Sequence, residues 1–245
     1  MMDKSFINEI EAFADKGALI LEEPLCNHTT FRVGGKADAF LSVRNEEQLK
    51  KAVLLCKEYG VPFLILGNGS NLLVSDDGYR GMVILIGKDM SDILVDGNRI
   101  TALAGATLGS VAQTAAKNSL GGMEFASGIP GTIGGAVVMN AGAYDGEMKM
   151  VVEEVRVMSQ EGDIFTLANE ELEFSYRNSR VKKERLIVLA VTLLLSPNNQ
   201  EAIYEKMNDF AARRREKQPL EYSSAGSTFK RPEGHFAGKL IGEAG

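Results

Sequence analysis

The residues best suited to chemistry lie in three glycine-bearing segments, each able to bring backbone amides close to an anion. The first is Leu66-Gly67-Asn68-Gly69-Ser70-Asn71-Leu72, directly after the apolar run Val61–Leu66. A strand running into Gly-x-Gly can deliver backbone to a pyrophosphate, but the dinucleotide fingerprint also needs a third glycine and a helix N-terminus. Leu72 stands where that glycine belongs, and Leu73-Val74-Ser75-Asp76-Asp77-Gly78 has turn chemistry without helical period. The Rossmann arrangement is therefore excluded. Two readings remain open: consecutive amides forming an anion-binding nest without a helix, and a tight turn between strands.

The second segment, residues 121–146, carries eight glycines among apolar residues, including Gly128-Ile129-Pro130-Gly131-Thr132-Ile133-Gly134-Gly135 and Asn140-Ala141-Gly142-Ala143-Tyr144. It is too apolar for a solvated linker and too rich in glycine for a plain helix or strand. Buried loop backbone must find polar partners, so the stretch is expected to pack against a flat, hydrogen-bonding cofactor; a structural crossover ranks below that. In the third segment, Asn27-His28-Thr29-Thr30-Phe31-Arg32-Val33-Gly34-Gly35-Lys36, the glycine pair permits close backbone approach and Arg32 or Lys36 could offset phosphate charge. His28 and His235 suit structural hydrogen bonding. With only Cys26 and Cys56 and no cluster at ligand spacing, no metal site is expected.

The elements that must hold these loops are mixed in type. Ile7, Ile10 and Phe13 mark a helix over 4–14, and Leu49, Ala52, Val53 and Cys56 another, with Asn45 and Gln48 spaced as a capping box and Gly60 ending it. Strands are expected at Val61–Leu66, buried, and at Met82–Ile86, Thr101–Leu103 and Leu186–Leu195. Leu108–Asn118 reads as a helix stopped by Gly121-Gly122. Val155–Val157 and Ile164–Thr166 flank a Gln160–Asp163 hairpin turn, and a polar helix over 201–216 follows a boundary at Ser196–Asn199. Helix and strand do not strictly alternate, so the fold class is α+β.

At 245 residues the chain has room for one large or two modest domains. Net charge is −6, which disfavours a nucleic-acid partner. No apolar run reaches the roughly 18 residues of a membrane span, and no signal peptide is visible, so a cytoplasmic protein without membrane association is expected. Glycine, 26 of 245 residues, stands well above the about 7% of an average protein, and its clustering is what the reading rests on.

Taken in order, the three segments, together with Tyr176-Arg177-Asn178-Ser179-Arg180 and Ser224-Ala225-Gly226-Ser227-Thr228-Phe229-Lys230, resemble the UDP-N-acetylenolpyruvoylglucosamine reductase (MurB) family, flavoenzymes of peptidoglycan precursor synthesis. The likeness runs over nearly the whole chain. It implies an FAD-binding domain of the vanillyl-alcohol-oxidase (PCMH) type over residues 1–196, in two subdomains divided near 90–100. The start of a substrate-binding domain follows at 197–245. FAD would be held non-covalently by Arg32 and Gly34; by Gly67, Asn68, Gly69, Ser70, Asn71 and Leu72; by Gly128, Pro130, Gly131, Thr132, Gly134 and Gly135; and by Asn140, Gly142, Ala143 and Tyr144.

The resemblance also implies the reaction, that of a UDP-N-acetylmuramate dehydrogenase: NADPH reduces the flavin, and UDP-N-acetylglucosamine enolpyruvate is then reduced to UDP-N-acetylmuramate. Negative charge develops as an enolate, so a cation and a proton donor are needed. Arg177 would be the former and Ser227 the latter, while Tyr176, Arg214, Lys217 and Lys230 would bind substrate. The short Ser196–Asn199 connection fits the subtype without an inserted substrate-capping loop. A monomer acting on a small molecule, without nucleic acid, is expected. The family's catalytic glutamate lies beyond Ala237–Gly245, and Glu243 does not match it. The chain is therefore expected to be truncated, and a flavin-binding fragment without full catalytic competence is the alternative. Another oxidoreductase of the same flavin fold, such as an oxidase, is a weaker option.

Overall fold

Asp3 and Asn45 set the first two helices. A computed structural model describes the chain apart from residues 1, 231, 233 and 236. In α1 (Lys4–Phe13) the Asp3 carboxylate accepts from the Ser5 amide at 2.7 Å, and Phe6 and Ile10 are buried. After β1 (Leu19–Pro24) and β2 (Lys36–Val43) comes α2 (Glu46–Glu58). There Asn45 Oδ1 accepts from Gln48 N at 2.9 Å, and the apolar face picked out by periodicity is buried. Gln48 reaches one residue further back than a capping box requires, its side-chain oxygen accepting from Arg44 N at 3.0 Å. Gly60, at φ +63°, ends the helix as expected.

β3 (Phe63–Leu66) and β4 (Tyr79–Ile86) complete a sheet of order β1-β2-β4-β3, with β1–β2 antiparallel and the other pairs parallel. The expected buried strand Val61–Leu66 is shorter and only half-buried: Val61 and Pro62 lie outside the ladder, and Leu66 alone is fully buried, because β3 is an edge. Alternation along β2 and β4 separates two apolar clusters. Ala39, Leu41, Met82 and Ile84 join the helices in the main core, while Phe40, Val83, Leu25 and Leu66 form a smaller one on the opposite face.

A second sheet, β11-β10-β12-β6-β5, is antiparallel throughout. Its strands are β5 (Ile93–Asp96), β6 (Arg99–Leu103), β10 (Val152–Met158), β11 (Ile164–Ala168) and β12 (Ile187–Leu194), in a chain order interrupted by α3 (Leu108–Lys117), β7 (Leu120–Gly121), α4 (Ile133–Val138), β8 (Gly142–Ala143), β9 (Gly146–Glu147) and α5 (Arg180–Lys183). The hairpin turn holds: Ser159 Oγ accepts from Glu161 N and Asp163 N. Two expectations need correction. The glycine pair does not stop α3, which ends at Lys117; Ser119, at φ +56°, turns the chain, and Leu120–Gly121 pair with β13 (Ser196–Pro197). The glycine-rich stretch is not loop throughout, since Thr132 caps the six residues of α4.

α6 (Gln200–Lys217) is polar in composition, yet Ile203, Met207 and Phe210 are buried in the same core as Ala126 and Ile133. Gln200 Nε2 donates to the last carbonyls of α3, Ala116 at 3.0 Å and Lys117 at 3.1 Å, so one helix closes the end of the other. α7 (Ala237–Glu243) follows. Among the described residues no helix is long and apolar enough to cross a membrane.

The two thiols differ in environment. Cys56 lies buried against Met82 Sδ, and burial pushes its pKa up to about 12, whereas Cys26 is half-exposed. A raised pKa leaves only about one thiol in 10⁴ ionised at pH 8, and the thiolate is the nucleophile. A disulfide reagent at pH 8 should therefore titrate one cysteine in the native protein and two after unfolding; two fast-reacting thiols in the native state would contradict the packing of α2.

Candidate functional site: two glycine loops in contact

The first glycine loop leaves the C-terminal end of β3, and the second is stitched to the corner between β6 and α3. Leu108 N donates to Gly131 O at 2.9 Å, Ile133 N to Ala106 O at 2.8 Å and Gly134 N to Ala104 O at 3.0 Å. Sheet packing brings the two loops together. Asn68 Nδ2 donates to Pro130 O at 3.0 Å. Gly67 lies so close to Thr132 that a Cβ there would stand 2.5 Å from its hydroxyl oxygen, which already accepts from Gly135 N. A Cβ on Gly131 would stand 3.5 Å from Ser70 Oγ.

The third segment closes one side. Thr30 N donates to Gly69 O at 3.3 Å, and a Cβ on Gly69 (φ +59°) would overlap the His28 carbonyl oxygen. His28 is structural: Nε2 bonds Glu23 Oε1 at 2.8 Å and the ring stacks on Phe40 at 4.0 Å. Gly34 packs on Val74, and Gly35 N donates to Ser75 O at 2.9 Å. Arg32 is exposed at φ +56°. Lys36 is on β2, paired with Glu22 at 3.2 Å.

The residues present fit an extended anionic cofactor. Among the described residues, the amides of Asn68, Gly69, Ser70 and Asn71 donate no hydrogen bond within the chain. Four consecutive undonated amides with a left-handed residue among them make the concavity of a nest. As a plain turn the loop would leave the amides of the exposed Asn68 and Asn71 to solvent. No group of three or more His, Cys, Asp or Glu is placed to hold a metal among the described residues.

Asn140 organises the far side. It is buried, at φ +41°, and its amide donates to Glu147 Oε2 at 3.0 Å and Ser175 O at 3.2 Å while accepting from Lys149 N at 3.0 Å. Through Ser175 it anchors the turn carrying Tyr176 and Arg177. Ser175 and Asn178 exchange both backbone hydrogen bonds, forcing Arg177 to φ +55°. Its guanidinium lies 5.6 Å from the Tyr176 ring centroid and 3.5 Å from Gly142 O. Gly142 and Ala143 form β8, which places Arg177 beside that strand. Tyr144 stacks on Phe210 of α6 at 4.4 Å and 6°, its hydroxyl donating to Phe210 O at 3.2 Å.

α6 brings Arg214 to the second loop: a Cβ on Gly128 would stand 3.2 Å from Arg214 Nη1. Lys217 ends that helix and is exposed, as are Ser227 and Lys230. Among the described residues no hydrogen bond joins Ser227 to Arg177; the Ser227 segment is instead bonded to Thr30, through Thr30 Oγ1 to Ser224 O at 2.6 Å and Ser224 N to Thr30 O at 3.2 Å. Three nearby cations are occupied: Arg213 by Asp209 at 2.7 Å, Arg180 by Glu184 at 2.8 Å and Lys183 by Glu173 at 2.7 Å, the last pairing holding the Glu173 carboxyl below the usual range. No carboxylate lies within ion-pair distance of Arg177, Arg214, Lys217 or Lys230 among the described residues. Sequence reasoning missed Thr30 and Phe210. Only helical spacing with Ile203 and Met207 could have flagged Phe210; no local signal marks Thr30.

The FAD binding domain family matches residues 37–168. A UDP-N-acetylenolpyruvoylglucosamine reductase of Clostridium botulinum (strain Hall) is 48% identical over 242 residues, covering 99% of this chain and 79% of the relative. The crystal structure of UDP-N-acetylenolpyruvylglucosamine reductase (MurB) from Thermus caldophilus superposes with a TM-score of 0.78 at 37% identity, covering 92% of this chain and 79% of that one. An alkyldihydroxyacetonephosphate synthase, at TM-score 0.60 and 16% identity over 80% of this chain and 41% of its own, shares the fold alone. The fold is thus an FAD-binding α+β fold of the PCMH type.

Gly69 and Gly97 have nearly equal left-handed φ, +59° and +57°, but only Gly69 has an atom where a Cβ would go. Gly97→Ala should lose about 1–2 kcal/mol from backbone strain, and Gly69→Ala a further ~1–3 kcal/mol from overlap with His28. Denaturant unfolding of the two variants measures the difference; equal losses would mean the loop does not sit on that carbonyl.

Proposed function

Because the chain belongs to the UDP-N-acetylenolpyruvoylglucosamine reductase family, we propose that it reduces the enolpyruvyl ether of UDP-N-acetylglucosamine to the lactyl ether with NADPH as reductant. FAD, held without a covalent bond, supplies the two-electron transfer between them. One observation carries the reading: the first glycine loop, whose amides donate to nothing among the described residues, packs against the second, with the Arg214 guanidinium at its edge. The amides of Asn68–Asn71 take the cofactor diphosphate, and the glycines let backbone approach it where side chains would intervene.

The chain's own side chains serve the substrate. Addition at the vinyl carbon distal to the carboxylate leaves charge on the other carbon, delocalised into the carboxylate. Arg177, without a carboxylate partner among the described residues and held in a strained turn, stabilises that enolate in bidentate fashion. The turn supports this role, because a non-glycine residue at positive φ costs energy that the surrounding hydrogen bonds must offset. Ser227 delivers the proton; a serine is a weak acid, but proximity to a strongly basic carbon compensates. Arg214 and Lys217, at the end of α6, and Lys230 meet the diphosphate and carboxylate of the substrate, and Tyr176 its edge. In this reading residues 1–196 hold the cofactor and residues 197–245 begin the substrate side. The division is functional rather than one of separate cores, since Ile203, Met207 and Phe210 share the main core.

Purified protein should be yellow, bleach with NADPH under anaerobic conditions and regain colour when the enolpyruvyl substrate is added; bleaching without substrate-dependent recovery would sink the assignment. Ser227→Ala should leave bleaching intact and slow recovery by about 10³-fold; an equal loss in both half-reactions would point to misfolding. Arg177→Lys should slow recovery by about 10²-fold with flavin retained, and release of flavin would move Arg177 into the cofactor site.

A further inference from the structure

Thr30 is bonded in three directions. Its amide donates to Gly69 O at 3.3 Å, its hydroxyl donates to Ser224 O at 2.6 Å, and its carbonyl accepts from Ser224 N at 3.2 Å. The last two bonds join positions 194 residues apart and close a ring between two short backbone segments. A single hydrogen bond fixes a distance; a reciprocal pair also fixes rotation about it. Ser227 follows Ser224 by three residues, across Gly226 at φ +87°, whose amide donates to Ser224 Oγ at 3.1 Å. Its position is therefore referred to Ser224, and that of Ser224 to Thr30.

We propose that Thr30 is a positioning residue that holds the Ser227 segment in register with the glycine loop at Gly69, so that seating the cofactor and placing the proton donor are coupled. The catalytic half of this inference rests on Ser227 being that donor; the structural half does not. Thr30 acts through its bonds to Gly69 and Ser224. It transmits the location of the amide run at Asn68–Asn71 to a segment that leaves α6 exposed to solvent. Removing the hydroxyl breaks the 2.6 Å bond but leaves the backbone bond from Ser224, so the segment should loosen without detaching.

The test compares Thr30→Val and Thr30→Ala, which lack the hydroxyl, with Thr30→Ser, which keeps it, in flavin-loaded protein. Amide hydrogen exchange over residues 222–228 should speed up about tenfold in the Val and Ala variants, the scale of one neutral hydrogen bond, and stay near wild type in the Ser variant. Recovery of flavin colour by the enolpyruvyl substrate should slow about tenfold in the same two variants and be restored by Ser, with bleaching by NADPH unchanged. Unchanged exchange in Thr30→Val overturns the proposal, as does failure of Ser to restore it. Loss of flavin from the Val and Ala variants with exchange over 222–228 unchanged overturns it too, since Thr30 would then serve the cofactor loop alone. If Ser227→Ala leaves recovery untouched, the proton-donor reading fails instead, and the exchange result decides the coupling by itself.

Discussion

The contact of Gly67 with Thr132 is the constraint on which the rest of the molecule depends. Thr132 holds two jobs at one oxygen: it caps α4 by accepting from Gly135, and it lies against the bare backbone of Gly67. The first sheet delivers Gly67 at the open end of β3, and the second delivers Thr132 from the corner of β6 and α3. A side chain at position 67 would overlap the Thr132 hydroxyl. With none, Asn68 reaches Pro130, and the four amides that follow remain undonated beside the second loop. Backbone polarity that would be a liability in a buried turn becomes a binding surface.

Four strained residues lie in the segments around this junction. Arg32, Asn140, Tyr144 and Arg177 all have positive φ without being glycine, a conformation costing of order 1–3 kcal/mol each. Each is held by something specific, Arg32 by its amide's bond to Thr29 O at 3.1 Å. Asn140 bonds to three segments, the Ser175–Asn178 exchange fixes Arg177, and Tyr144 is stacked on Phe210. That stack also docks α6, helped by the buried Glu124, which accepts from Gly122 N at 3.1 Å and lies 3.6 Å from Lys206. Glu124 begins the turn that runs into Gly128, so the contact that seats α6 also sets where Arg214 meets the second loop.

Local signals recovered most elements: the caps at Asp3 and Asn45, the apolar face of α2, the 155–166 hairpin and the long central strand β12. They failed where the deciding partner is distant. α4 forms despite its glycines because Ala104 and Ala106 accept from Gly134 and Ile133, a favour propensity does not record. α6 reads as polar because three buried residues suffice to attach a helix whose other faces meet water. The strand at Val61–Leu66 is less buried than its apolar run suggests because edge position is a property of the sheet, invisible in a run of apolar residues.

The amino-acid sequence alone determined which positions lack side chains, which faces are apolar, and which residue types could meet phosphate or an enolate; these are intrinsic to the chain and its local period. Tertiary structure decided adjacency. Asn68 finds Pro130 across 62 residues and Thr30 finds Ser224 across 194. Tyr144 finds Phe210 of α6, and Arg214 stands at Gly128 while its neighbour Arg213 is held by Asp209. Such pairings follow from how two sheets and a helix pack to bury their apolar faces, and a periodic pattern specifies the face but not its partner.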